Sequence, residues 1–168
     1  MFSQLYGDRA MSSAAMDIKV GDKLPACEIT ISQELIDVYA AISGDFNPIH
    51  VDAAAGAASG FGGTIAHGCI PMEPFFQSVL RWSGRESLPP QATMNFRYRA
   101  PSRPGDLIHS DATVTAHSVT DQCRTVEISF VCANQRGETV IDGALAGEFR
   151  KRFKAVLEAP TQATATSG

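Results

Sequence analysis

The chain has 168 residues, of which 44% are hydrophobic and 19% charged, and its formal net charge is −4. This length suits one domain that buries roughly 70% of its unfolded surface, and the composition excludes a disordered, a collagen-like and a coiled-coil protein. Because 14 Lys and Arg stand against 18 Asp and Glu, the surface has no net attraction for nucleic acid or anionic lipid, and neither is an expected partner.

The two ends of the chain are predicted to be flexible. Residues 1–16 are polar and lack the apolar stretch of a secretory signal, so we expect a cytoplasmic protein. Residues 153–168 are mostly small and cannot bury a core. The uncharged run 53–72 is long enough to span a bilayer, but its glycines disfavour a lipid-spanning helix. One folded domain is therefore predicted over residues 17–152, without a membrane partner.

The domain begins with a short strand and a helix. The strand is predicted over residues 22–30. Thr30 or Ser32 can cap the helix that follows, and Gly44 ends it. The apolar residues of this helix recur at helical spacing. They are Leu35, Ile36, Tyr39 and Ile42.

Two further helices are predicted before the sheet. A short one covers residues 52–60, with the aspartate at its start as N-cap. A longer one begins near Cys69 or Ile70, where Pro71 and Pro74 fall in the first turn and remove no helical hydrogen bond. Apolar residues on more than one face indicate that this helix is buried. They are Ile70, Met72, Phe75, Phe76, Val79, Leu80 and Trp82.

Four strands complete the chain, over residues 92–100, 106–119, 123–133 and 138–153. Their links PSRPGD, TDQ and NQRG are short, as in an antiparallel meander. One buried helix followed by an antiparallel sheet predicts an α+β fold in which the sheet wraps around the central helix.

The four cysteines are far apart and form no C-x-x-C pair, so neither a zinc knuckle nor a disulfide framework is indicated. We expect them to be reduced and mostly buried. They are Cys27, Cys69, Cys123 and Cys132.

Residues with catalytic potential concentrate in the segment 43–50, SGDFNPIH. Gly44 ends a helix and Asn47 precedes a proline, so the chain between them turns sharply. The carboxylate of Asp45 and the imidazole of His50 can then converge on one water and act as general acid and base. An alternative stays equally open, in which Asp45 only forms an Asx turn and His50 is a surface histidine.

A second candidate feature is the segment 65–68, IAHG, at the entrance to the buried helix. A backbone amide at a helix N-terminus, made approachable by Gly68, is suited to a developing oxyanion. Ordinary turn chemistry is the alternative, and it is favoured if the segment is taken without the upstream loop.

Together these two features resemble a known family. The segment SGDFNPIHVD, followed by SGFGGTIAHG, closely resembles the hydratase motif of the MaoC-like (R)-specific enoyl-CoA hydratases. The resemblance continues through Phe96, Pro101 and the Pro-Gly-Asp at 104–106, and it covers about residues 17–152. It implies the hot dog fold and the edge-to-edge pairing of two sheets, hence a homodimer or a higher homo-oligomer.

The resemblance also implies a reaction. Asp45 and His50 would hold the water that adds to Cβ of a trans-2-enoyl-CoA, and the Gly68 amide would bind the thioester oxygen. The product would be an (R)-3-hydroxyacyl-CoA, formed without a metal or redox cofactor, with coenzyme A as part of the substrate. The residues expected to contact the substrate are Asn47, Ile65, Ala66, His67, Met72 and Phe76.

The chain departs from the family along the buried helix. Family members commonly follow His-Gly with Met-Leu and small residues, whereas residues 69–76 here read CIPMEPFF. The ring of Phe76 would fill part of the acyl chamber, which predicts a short or branched acyl group. The alternative is that Phe76 packs in the core. Glu73 is expected at a subunit interface rather than in catalysis.

Other functions and sites are weaker alternatives. A thioesterase or a non-catalytic acyl-CoA binding subunit could share the fold. Asp45, His50 and His67 could be imagined as metal ligands, but the histidines lack the i, i+4 spacing of a helical site. Three arginines either meet the phosphates of coenzyme A or lie on an exposed strand face. They are Arg97, Arg99 and Arg103.

Overall fold

The computed structural model describes residues 18–119 and 123–150, which form four α-helices and five strands. The helices are α1 Gln33–Ser43, α2 Pro48–Val51, α3 Ala53–Ala58 and α4 Glu73–Ser83, with a 3₁₀ turn Ile70–Met72 directly before α4. The strands are β1 Glu28–Thr30, β2 Thr93–Tyr98, β3 Leu107–Val119, β4 Cys123–Asn134 and β5 Thr139–Arg150. The predicted flexible ends, 1–16 and 153–168, lie outside the described residues, so their flexibility stays a prediction.

No helix in the described ranges has the length and apolar character needed to cross a membrane. The cytoplasmic location stays a prediction. The predicted free thiols are found at Cys27 and Cys132, which are buried, and at Cys69, which is exposed. Burial raises the pKa of the Cys132 thiol to about 12, so this thiol is unreactive at neutral pH.

Local sequence signals fix the starts of two helices. Ser32 caps α1, with its Oγ accepting a hydrogen bond from the Leu35 N–H at 3.1 Å, and Gly44 ends the helix at a φ of 76°. Asp52 caps α3, with its Oδ1 accepting from the Ala54 N–H at 2.8 Å. Both caps agree with the prediction, although α3 ends two residues earlier than expected.

The buried face of α1 differs from the predicted one. Ile36 and Ala40 have no exposed surface, whereas Ile42 is 80% exposed. Because residues four apart lie on the same face of a helix, Ala40 continues the face of Ile36, and Ile42 points elsewhere.

The first predicted strand is interrupted. Lys23 pairs with Thr113 of β3 in an isolated bridge, and β1 itself begins only at Glu28. Pro25 lies between the two paired stretches and has no N–H to donate to β3. The strand predicted over 22–30 is therefore two short pairings with β3.

The five strands form one antiparallel sheet in the order β1-β3-β4-β5-β2. The strands β3, β4 and β5 form the predicted meander, but the prediction for the link PSRPGD was wrong. This link carries the chain from β2 at one edge past β5 and β4 to β3. Three strand spacings amount to about 14 Å, and the eight residues 99–106 reach about 26 Å when extended. A link of this length can therefore join two neighbouring strands or pass across two intervening ones. Its length does not distinguish a meander from the observed strand order.

Helix α4 packs on the sheet and forms the centre of the core. Phe75 has no exposed surface, and its ring stacks on that of Phe130 in β4 with centroids 3.8 Å apart. The hydroxyl oxygens of Ser78 in α4 and Ser110 in β3 lie 2.7 Å apart, so two small polar side chains satisfy each other where helix and sheet approach. The predicted α+β fold, with an antiparallel sheet around a buried helix, is confirmed.

The edge strand β2 lies unusually close to β5. Gly143 stands opposite Phe96, and a Cβ at Gly143 would meet the backbone oxygen of Asn95. Only glycine allows this approach. On β2 itself, Phe96 and Tyr98 are 40% and 54% exposed, and their rings meet edge to face with centroids 5.5 Å apart.

A buried carboxylate, paired with an exposed arginine, anchors the far end of the crossing segment 99–106. The carboxylate of Asp106 is 4% exposed and accepts hydrogen bonds from the Arg103 N–H at 2.9 Å and from Arg136 Nη1 at 2.8 Å. Burial by itself raises the pKa of Asp106, but these hydrogen bonds and the charge of Arg136 outweigh burial and lower it. The crossing segment is thus fixed where it enters β3.

Candidate active site

The backbone around His50 fixes the orientation of its ring. His50 lies in α2, a single turn with Pro48 at its first position, where the sequence analysis expected a loop. The side chain is buried, and its Nδ1–H donates to the carbonyl oxygen of Ile65 at 2.8 Å. Because a carbonyl oxygen can only accept, Nδ1 carries the proton, and Nε2 of the neutral ring keeps a lone pair. His50 is therefore oriented as a base.

Asp45 lies in the exposed loop between α1 and α2. Its N–H donates to Ser43 Oγ, and its Oδ1 accepts from the Asn47 N–H, both at 3.2 Å. The predicted Asx turn is present. One carboxylate oxygen makes this turn, which leaves the other oxygen available to a ligand.

Asp45 and His50 converge as predicted, and His67 joins them. One nitrogen or carboxylate oxygen from each of the three side chains lies within 4.8 Å of the others. Two hydrogen bonds of about 2.8 Å that meet at a tetrahedral angle span about 4.6 Å. A separation of this size is close to what one water can bridge between a carboxylate and an imidazole.

Gln33 at the start of α1 holds the histidine segment in place. Its side-chain amide donates to the carbonyl oxygen of His50 at 2.9 Å and accepts from Thr64 Oγ1 at 2.6 Å. The Ile65 N–H donates to the Ile49 carbonyl oxygen at 3.1 Å. Helix α1, helix α2 and the segment 64–65 are thus joined directly beside the site.

Gly68 is half-buried at the turn that leads into the 3₁₀ turn and α4. Within residues 18–119 and 123–150, its N–H donates to no protein group. A Cβ at this position would meet the hydroxyl of Tyr98, which covers the glycine from β2. A side chain here would therefore displace Tyr98 and block the approach to the amide.

A cavity of about 380 Å³ opens between His50 and Gly68. Tyr98 and the crossing segment 99–102 form part of its wall. The remaining lining is mostly apolar, which suits an acyl group better than a charged ligand. It includes Phe61, Ile65, Ala66, Pro71, Pro101 and Val140.

The remaining candidate residues have different surroundings. Asn47 caps α2, with its Oδ1 accepting from the Ile49 N–H at 3.3 Å. Met72 is 4% exposed and belongs to the core, Phe76 packs against the core, and neither lines the cavity. Ile65 and Ala66 do line it. The substrate contacts assigned to these five side chains stay predictions.

The carboxylate and the two histidines are also a donor set that divalent first-row metals accept. Each ring gives one nitrogen to a backbone carbonyl and keeps its other nitrogen for a metal ion or a water. His50 Nδ1 binds Ile65 and His67 Nε2 binds the carbonyl oxygen of Asp45 at 2.9 Å. The group is compact because it is tied to its own backbone, and the same geometry serves a water.

Tyr39, Cys69 and Tyr98 lie around Gly68, and no sequence motif marks them as site residues. The Cys69 thiol raises the pKa of the Tyr39 phenol by hydrogen bonding, and burial adds to the effect. Burial raises the pKa of Tyr98, with a smaller contribution from Cys69. Both phenols therefore keep their proton at neutral pH. Tyr98 reaches the site from a distant strand, and nothing near Gly68 in the sequence could have indicated it.

Two of the three candidate phosphate-binding arginines have protein partners. Arg99 forms an ion pair with Asp142 at 3.0 Å, and Arg103 Nε donates to the Phe61 carbonyl oxygen at 3.1 Å. Arg97 is exposed on β2. A role of these arginines toward coenzyme A stays a prediction.

Comparison with known proteins matches residues 17–134 to the family described as MaoC like domain. The mitochondrial 3-hydroxyacyl-[acyl-carrier-protein] dehydratase of Arabidopsis thaliana is 30% identical over 138 residues, which cover 80% of this chain and 81% of the relative. The R-hydratase PhaJ1 from Pseudomonas aeruginosa is 26% identical with a TM-score of 0.63, over 79% of this chain and 82% of that chain.

A second solved structure is informative about the fold alone. The (R)-hydratase from A. caviae has a TM-score of 0.66 at 22% identity, over 79% of this chain and 98% of that chain. The likeness confirms the predicted hot dog fold.

Proposed function

The chain belongs to the MaoC-like family of hydratases and dehydratases, and from this premise we propose that it adds water reversibly to a trans-2-enoyl-CoA to give an (R)-3-hydroxyacyl-CoA. The observation that carries the proposal is the convergence of Asp45 and His50 to within 4.8 Å, beside an apolar cavity. The proposed reaction needs no redox cofactor, because adding water to a double bond changes no overall oxidation state.

The proposed mechanism uses one water held between the two side chains. Nε2 of His50 has a free lone pair, so the pair can take a proton from the water as its oxygen bonds to Cβ. The pair returns one proton to Cα on the same face. The sum is the addition of one water, and the dehydration follows the same steps in reverse.

Negative charge develops on the thioester oxygen as water adds to Cβ. The Gly68 N–H borders the same cavity as His50 and has no acceptor among the described residues, so it supports a role as oxyanion donor. The N-terminal end of the helical segment behind it adds a favourable partial charge.

Acyl carrier protein is a second candidate for the carrier of the acyl group. The relative from Arabidopsis thaliana is named as a dehydratase of 3-hydroxyacyl groups on acyl carrier protein. That name favours the same chemistry on another carrier, in the dehydration direction. The cavity holds the acyl end of either substrate, so parallel assays with both carriers are required.

The test is to incubate the protein with trans-2-enoyl-CoAs of four to twelve carbons and with the matching acyl carrier protein thioesters. We expect loss of the conjugated thioester absorbance, an (R)-3-hydroxyacyl product on chiral analysis, and a loss about 10² to 10⁴ times slower with Asp45→Asn. Release of free thiol would instead indicate a thioesterase. Binding of acyl-CoA without any change in absorbance would indicate a non-catalytic subunit.

We also propose that the active unit is a homodimer or a higher homo-oligomer. The support is the edge strand β2, on which Phe96 and Tyr98 are partly exposed and Tyr98 lines the cavity. An edge strand with exposed aromatic side chains is a surface that proteins generally cover.

A further inference from the structure

His67 touches both members of the catalytic pair. Its side chain is 3% exposed, and its Nε2–H donates to the Asp45 carbonyl oxygen at 2.9 Å. Its ring also stacks on that of His50, with centroids 3.8 Å apart and planes at 29°. The Tyr39 ring packs near it at 4.8 Å between centroids. One buried ring therefore connects the exposed aspartate loop to the buried base.

On the basis of the function proposed above, we propose that His67 is a positioning residue, which sets the Asp45 carboxylate against the His50 imidazole without contacting the substrate. Asp45 is on an exposed loop, and a loop needs anchors if it is to hold a carboxylate within the reach of one water. The bond from His67 ties this loop to the segment whose Ile65 carbonyl fixes His50. Asp45 and His50 are thus both hydrogen-bonded to residues of the segment 65–67.

The other nitrogen of His67 supports a role away from the substrate. When Nε2–H donates to a carbonyl, the neutral ring leaves Nδ1 with a lone pair. This Nδ1 is buried and has no partner among the described residues, and His67 does not line the cavity. The ring is therefore placed behind the pair. When His50 holds a proton during turnover, the stacked neutral ring attracts that positive charge.

The two contacts can be separated by substitution. His67→Gln keeps an N–H donor for Asp45 but removes the stacked ring, whereas His67→Phe keeps the ring but removes the donor. His67→Ala removes both. The matched control is His117→Ala, because His117 is an exposed histidine on β3 away from the site.

For a positioning residue we expect kcat of His67→Ala to fall about 100-fold, since a misplacement of about 1 Å costs that much. KM and the affinity for a saturated acyl-CoA should stay within about threefold, and the Gln and Phe variants should each recover part of kcat. His117→Ala should match the wild type. Unchanged kcat in all three variants, or a raised KM at unchanged kcat, would overturn the proposal.

A readout independent of turnover separates this proposal from the proposed function. A ring stacked at 3.8 Å shifts the NMR signals of the His50 ring protons upfield. We expect this shift to persist in His67→Phe and to disappear in His67→Gln. If the wild type hydrates no enoyl thioester, the proposed function fails, and an unaltered His50 spectrum in His67→Gln would still refute the positioning role.

Discussion

At the scale of single residues, the carboxylate of Asp45 forms a turn and also lies close to His50. Its Oδ1 accepts the Asn47 N–H in an Asx turn, and the same side chain lies within 4.8 Å of His50. The sequence presented the turn and the proposed catalytic role as alternatives. They are compatible because a carboxylate has two oxygens and several lone pairs. The turn helps to orient the carboxylate that the proposed reaction uses.

Asp45→Asn and His50→Ala test the proposed chemistry directly. Asparagine keeps an oxygen for the Asx turn but has no charge, and alanine removes the base. We expect kcat to fall by about 10² to 10⁴ in each variant, the range typical of lost acid or base help. The measurement is turnover on the best enoyl thioester, with thermal unfolding to show that both variants fold. His109→Ala on β3 is the control, and normal rates in both site variants would refute the mechanism.

Phe76 has two possible roles that one substitution separates. The side chain packs against the core and does not line the cavity, so we expect Phe76→Ala to lower the free energy of unfolding by about 3 kcal/mol. The ratio of kcat/KM for six-carbon and four-carbon substrates should then be unchanged. A higher ratio at unchanged stability would instead assign Phe76 to the acyl chamber.

At the scale of elements, short-range signals predicted more than long-range ones. Ser32, Gly44 and Asp52 mark helix ends through bonds within four residues, and the sequence shows them. The pairing of β2 with β5 brings together residues more than forty positions apart, and a short link does not reveal it. Tyr98 lies over Gly68 because β2 pairs with β5. The convergence of Asp45 and His50 could be predicted, but the cavity wall could not.

Gln33 tests how the elements hold the site. Gln33→Ala removes the donor to the His50 carbonyl and leaves the buried hydroxyl of Thr64 without its acceptor. We expect a loss of about 1 to 3 kcal/mol of stability, the cost of an unsatisfied buried group, together with a lower kcat. Denaturant unfolding and steady-state kinetics measure both. Glu34→Ala, the exposed neighbour in the same turn, should change neither.

At the scale of the whole molecule, the described chain leaves the β2 edge of the sheet uncovered. β2 pairs with β5 on one side, and its exposed rings stand beside the cavity that His50 and Gly68 border. Because this edge lies next to the proposed binding site, the association of two copies there would also affect the site. The association of two copies would cover aromatic surface and close the cavity on that side.

Phe96→Glu tests this assembly. A carboxylate on the edge strand adds like charges at the expected contact, so we expect a dimer for the wild type and a monomer for the variant at micromolar concentration. Sedimentation velocity measures the mass. Val119→Glu is the control, because Val119 is also exposed, at 54% against 40% for Phe96, but lies at the far end of β3. A monomeric wild type would contradict the prediction.

The part of the crossing segment that walls the cavity, residues 99–102, makes main-chain hydrogen bonds to the strand and the segment beside it. The Arg99 N–H donates to the Val140 carbonyl oxygen, and the Ser102 carbonyl accepts from the Ala66 N–H, both at 2.8 Å. These bonds do not depend on which side chains the segment carries. The wall can therefore diverge during evolution while the catalytic loop, on a separate stretch of sequence, stays unchanged. Under the function proposed above, single mutations at positions such as Ala100 and Pro101 would then change the acyl specificity without the loss of the reaction.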